Sequence, residues 1–232
     1  MLRQLISIFR SDNPLRAMGE NFAQMLKITH ETTRKAGDIY FGEEVKPDER
    51  TWVYKQDVKV NKLERTIRKQ VIAHLSISGT AADLPYCLLL MSLVKDVERL
   101  GDYAKNLTEV VDFYAGPLPE DDMVVELREI RAGVETAFAA TAEVFEESDM
   151  ERAVELIQAG KDLAHRCDKL VETVARSDHN ASTTTAVVLG ARFYKRIGGH
   201  VLNVLSSVVM PLHKLDYYDE DALLTADGDN DD

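Results

Sequence analysis

The chain has few of the residues that build turns, cross-links and aromatic cores. Among 232 residues there are 6 prolines, 12 glycines, 2 cysteines and 1 tryptophan, and aromatics reach only 7% although 45% of residues are hydrophobic. So little turn-forming material argues against a sandwich or barrel and for long helices. Two cysteines cannot make a disulfide scaffold. Cys87 and Cys167 each fall in an apolar helical pattern and read as free buried thiols in a reducing compartment. No apolar run reaches the ~18 residues of a membrane span, and the first ten residues lack a small-residue cleavage pattern. The expected location is therefore cytoplasmic. A net charge of −12 argues against a nucleic-acid binder. There is no Gly-x-x-x-x-Gly-Lys loop and no Gly-x-Gly-x-x-Gly. Asp162 and His165 form an Asp-x-x-His pair, but no Glu-x-x-His of the ferritin-like di-iron kind occurs. No catalytic constellation is visible.

What is present is helical periodicity. Asn13-Pro14 marks a helix start, with Pro at the first position, and the pattern runs to about Tyr40. After turn signals at Phe41-Gly42 and Pro47-Asp48, Val60, Leu63, Ile67, Val71 and Leu75 define a second helix. Ser78-Gly79-Thr80 breaks it, and a third is predicted from about Ala81 to Tyr114. Gly116-Pro117-Leu118-Pro119 divides the chain. Three more helices follow: Asp121 to Phe145, one capped by Ser148-Asp149 and ending near Ser177, and one starting at Asn180 to Thr183 and ending at Met210. Helices of this length on short loops form antiparallel bundles. The expected units are a lead-in (1–13), a first three-helix repeat (14–116), a second, degenerate repeat (117–212) and an acidic tail (213–232). From Asp216 on, the tail holds eight acids and no Lys or Arg, which leaves residues 1–215 at only −4.

The third predicted helix carries Asp96-Val97-Glu98-Arg99-Leu100-Gly101-Asp102-Tyr103-Ala104-Lys105-Asn106. Glu98 and Asp102 project from one face, where paired carboxylates repel unless a cation sits between them. At 100° per residue from Leu93 they fall near about 140° and 180°, off the apolar stripe, which predicts a surface position. The run is echoed by Arg196-Ile197-Gly198-Gly199-His200-Val201-Leu202-Asn203 on the sixth helix: Arg, aliphatic, Gly, then Asn seven residues after the Arg. Asp57-Val58-Lys59-Val60-Asn61-Lys62-Leu63 precedes the first run, and His165-Arg166-Cys167-Asp168-Lys169-Leu170 precedes the echo, each with Asn or Asp just before Lys-Leu.

This tandem arrangement resembles the PhoU family over most of residues 14–212. The resemblance implies an all-α fold of two tandem antiparallel three-helix bundles with pseudo-two-fold symmetry. It implies a regulator of phosphate homeostasis that restrains uptake through a phosphate transporter component (an ABC transporter or, for related proteins, a sodium-phosphate cotransporter) and can link it to a sensor histidine kinase. It implies acidic clusters that hold metal ions, iron or zinc; hard carboxylate oxygens also suit manganese or magnesium. Carried over by position, the metal candidates are Asp57, Asn61, Glu98 and Asp102, with Arg99 and Asn106 as supporting groups. Tyr103 stands where the family commonly has His. In the second half Ala164, Lys195 and Gly199 stand where acids are expected, and only Asp168, His200 and Asn203 remain. One metal cluster at most is expected, in the first repeat.

Other features read more plainly. Ser182 to Thr185 look like N-cap chemistry, and His200 like a structural histidine. Tyr40, Phe41, Trp52 and Tyr54 pack the first hairpin end, with Trp52 a candidate partner contact. The segment Met1 to Arg10 suits a lead-in helix, with peripheral contact at the inner face of the membrane as an alternative use. A homodimer is compatible with a metal shared between protomers. The functional expectation is a non-enzymatic regulator; the alternatives are a metal-dependent helical hydrolase using the first-repeat cluster and a metal-free helical scaffold.

Overall fold

A computed structural model describes residues 14–42, 48–77, 81–114 and 117–216. Six long helices account for most of them: α1 Pro14–Tyr40, α2 Glu49–Ile77, α3 Leu84–Glu109, α4 Asp122–Glu147, α5 Met150–Ala175 and α6 Ala181–Val209. The predicted third helix is shorter than expected, because its last turn tightens into a 3-10 segment, Val110–Phe113. The lead-in residues 1–13 and the tail beyond Asp216 lie outside the described residues. No helix among the described residues is long and apolar enough to cross a membrane.

The starts of α4 to α6 follow from their caps. Asp121 accepts from the amides of Met123 and Val124, Asp149 from Arg152 and Asn180 from Thr183, each satisfying amides that have no partner within the helix. The sequence reading gave capping to Ser182–Thr185. Asn180 does that work, and the Ser182 hydroxyl donates to the Phe113 carbonyl at 2.7 Å instead. Asp83 makes no cap bond before α3 and pairs with His74 at 2.9 Å.

Helices α1, α2 and α3 pack on one another, as do α4, α5 and α6. The two bundles meet where α3 lies against α6 and α1 against α4, and their buried side chains form one continuous core. Helix α3 is flanked by α1, α2 and α6. Its buried surface is therefore wider than one apolar stripe and takes in Asp96, Glu98 and Thr108. Leu90, Leu93, Leu100, Ile67, Phe22 and Phe138 are all but fully buried, each contributing roughly 1.5–3 kcal/mol relative to exposure. Tyr40, at the end of α1, is fully buried and donates to the Ala186 carbonyl on α6 at 2.9 Å.

Candidate functional site

The first-repeat cluster lies where α2 and α3 pack. Asp57 and Asn61, one turn apart on α2, face Asp102 on α3. The centre is occupied by an ammonium: Lys105 Nζ donates to Asp102 Oδ1 at 3.1 Å and to Asp57 Oδ2 at 3.4 Å. Asn61 Nδ2 donates to the same Asp57 oxygen at 3.4 Å, and Arg99 reaches Asp102 at 3.0 Å. Glu98 pairs with Lys95 at 2.7 Å and lies 3.9 Å from Arg99. Asn106 is half-buried and makes no side-chain hydrogen bond among the described residues. Two of the four metal candidates, Asp57 and Asp102, thus meet at Lys105, Asn61 joins through Asp57, and Glu98 is held by its own neighbour.

Burial departs from the sequence reading. Glu98 was expected at the surface, yet it is 9% exposed and Asp57 is 8% exposed, because α2 and α3 close over them. Asp102 keeps a quarter of its side chain exposed. Burial raises the Asp57 carboxyl above its ordinary range, opposed by Lys105 and reinforced by the charges of Asp102 and Glu98. Burial alone would lower the Lys105 ammonium; its bond to Asp102 and the field of Asp57 outweigh this and raise it. The other Asp57 oxygen, Oδ1, is buried without a hydrogen-bond partner. It lies over Gly101, where an added Cβ would meet it at 3.6 Å.

These donors do not fit a metal ion as they stand. Among the described residues no group of three or more His, Cys, Asp or Glu is gathered closely enough to ligate one. The sequence offered the signal for this, since Lys105 falls one turn after Gly101 on the acidic face.

The second half places its residues differently. Lys195 donates to Asp168, and Arg192 reaches the same carboxylate at 3.5 Å. His200 and Asn203 leave that group and turn to α3, where Asp96 Oδ1 accepts from His200 Nδ1 at 2.8 Å and Asn203 Nδ2 at 2.7 Å. Tyr103 stacks on His200, ring centroids 5.6 Å apart, and lies 6.2 Å from Phe193. The two echoing runs therefore meet each other across the bundle joint. Asp96, 8% exposed, is a joint residue that sequence reasoning missed, because its partners are more than a hundred positions away. Asp162 and His165 are both exposed on α5.

At the hairpin end, Tyr40 and Phe41 are buried, and the Tyr54 hydroxyl donates to Glu109 at 2.6 Å. Trp52 is half-buried in the first turns of α2. Cys87 and Cys167 are free and buried, and burial pushes the Cys167 thiol up to about 12, which keeps it protonated and unreactive.

The chain is all-α, a pair of packed three-helix bundles with an acidic signature on the third helix, and known proteins share this architecture. A PhoU domain model matches residues 22–111. Two curated relatives are each named a phosphate-specific transport system accessory protein PhoU homolog. One, from Clostridium acetobutylicum, is 20% identical over 68% of this chain and 74% of its own length; the other, homolog 1 of Thermotoga maritima, is 24% identical over 68% and 70%. The PhoU crystal structure from Pseudomonas aeruginosa superposes with a TM-score of 0.76 at 20% identity, covering 86% of this chain and 97% of its own. That of the phosphate transport system regulatory protein PhoU from Streptococcus pneumoniae gives 0.72 at 16%, covering 84% and 93%. The chain thus carries a match to the PhoU domain over residues 22–111 and shares the fold of PhoU structures.

Proposed function

We propose that the chain is a non-enzymatic regulator of phosphate uptake. It acts at the inner face of the membrane by docking on a phosphate transporter component, on the associated sensor kinase, or on both. The observation that carries this reading is the PhoU domain over residues 22–111 within a fold that superposes on PhoU structures along most of the chain. The relatives' names as accessory proteins of phosphate-specific transport support it. Mechanistically, a rigid helical surface would bias a transporter toward its inactive state through differential binding to its two conformations. Cross-linking in phosphate-replete cells, followed by capture of the chain, tests it. Recovery of a transporter subunit or its kinase supports the reading, and recovery of neither counts against it. The hydrolase alternative needs a metal-ready acidic cluster, and the bonding of Lys105 to both Asp57 and Asp102 weighs against it.

A second reading concerns metal. The buried, unpartnered Asp57 Oδ1 favours it: if Lys105 swings out, Asp57, Asn61, Asp102 and a rotated Glu98 offer oxygens suited to iron, zinc, manganese or magnesium. Elemental mass spectrometry of the untagged chain beside Glu98→Ala, Asp102→Ala tests it. Metal lost in the variant supports the reading, and no metal in the wild type rejects it.

A further inference from the structure

The second bundle contains a cavity of about 410 Å³ between α4, α5 and α6. It lies at the acid-depleted counterpart of the first-repeat cluster. Its walls include Lys161, Arg192, Lys195, Arg196 and His200, and no carboxylate is among its lining residues. Lys161, Arg192, Lys195 and Arg196 concentrate positive charge there in a chain whose net charge is −12. Asp168 compensates part of it through Lys195 and Arg192; among the described residues Arg196 enters no ion pair.

The space opens at positions where this half carries small residues and no acid. Ala164 and Gly199 line the cavity with little or no side chain, and a Cβ added at Gly199 would meet nothing within 4 Å. A site that in the first bundle presents carboxylates thus presents ammonium and guanidinium groups in the second. Arg forks match phosphate oxygens bidentately, and Lys supplies point charge. The remaining walls, among them Val134, Leu163 and Leu202, are apolar. The volume lies within the range of small-molecule sites, roughly 300–1,000 Å³, and far exceeds what one inorganic phosphate fills.

We propose that this cavity binds a phosphate-bearing organic anion of nucleotide size, with the phosphates toward Arg192, Lys195 and Arg196 and the organic part against the apolar wall. The proposal stands on the cavity alone and does not depend on the transporter reading.

The test is calorimetric titration of the full chain with ATP, and separately with inorganic phosphate, in metal-free buffer at low salt. The paired variant is Arg192→Gln, Arg196→Gln. Both side chains are exposed, so the variant keeps the fold, which its thermal melt verifies. Saturable ATP binding at least tenfold tighter than phosphate, weakened at least tenfold in the variant and by added salt, is the expected result. Lys69→Gln, exposed on α2 in the other bundle, leaves it unchanged. No saturable binding of ATP, binding untouched by the Arg variant, or phosphate bound as tightly as ATP would each overturn the proposal.

Discussion

Replacing Asp96 by alanine removes the acceptor that ties α3 to α6. The carboxylate is buried and takes two hydrogen bonds, from His200 at 2.8 Å and Asn203 at 2.7 Å. Each such bond has a net worth of roughly 1–2 kcal/mol, since leaving a buried donor unmade costs more than the bond's average gain. The summed loss is about 2–4 kcal/mol. For a chain of this length, ~1 kcal/mol moves Tm by about 2–4 °C, so Asp96→Ala lowers it by on the order of 5–15 °C in a circular dichroism melt. Asp96→Asn retains one acceptor oxygen and loses roughly half as much. In an Asp96→Ala background, His200→Ala adds little further loss, because its partner is already gone. A Tm for Asp96→Ala within about 2 °C of wild type, or strict additivity with His200→Ala, would refute the claim that these residues join the bundles.

Other consequences follow from the same geometry. Because burial holds the Asp57 carboxyl above its ordinary value, the native state binds its proton more tightly than the unfolded chain does. Stability then falls as pH rises from about 3.8 through the raised value. Asp57→Asn removes that segment of the profile, so urea midpoints of variant and wild type diverge in the variant's favour as pH rises through it; a constant offset would contradict this. A Lys105→Met variant leaves Asp57 and Asp102 without their shared ammonium, and equilibrium dialysis is expected to show manganese or zinc uptake that wild type lacks or shows more weakly. Equal uptake would mean that Lys105 does not occupy the site. Two glycines separate a tight contact from an open one. A Cβ at Gly190 would lie 2.3 Å from the Tyr40 hydroxyl oxygen, which is fixed to Ala186, so Gly190→Ala costs about 1–3 kcal/mol by overpacking. At Gly101 the nearest atom is 3.6 Å away, so Gly101→Ala is neutral or stabilising by up to about 1 kcal/mol through helix propensity.

The helices were legible because their signals are local. Spacing of Val60, Ile67 and Val71 gives a buried face for α2, and Asp121, Asp149 and Asn180 announce the starts that they cap. The acidic signature on α3 was also readable, as was the loss of acids around Lys195 and Gly199. Two features were not. A single helical wheel places Glu98 outside the core, yet α3 is packed on three sides and buries it. The pairing of Asp96 with His200 and Asn203 depends on how two bundles dock, which no periodicity within one helix records. Lys105 was in view, one turn from Asp102, but its role emerges only once α2 brings Asp57 to the same point.

The central proposal is that this PhoU-like chain regulates phosphate uptake by physical association with the transport machinery. The most direct measurement is cross-linking and capture of the chain from phosphate-replete and phosphate-starved cells, with the recovered proteins identified by mass spectrometry. The account predicts enrichment of a phosphate transporter subunit or its sensor kinase, altered by phosphate status. Capture of neither under both conditions, from cells in which both partners are expressed, would contradict it.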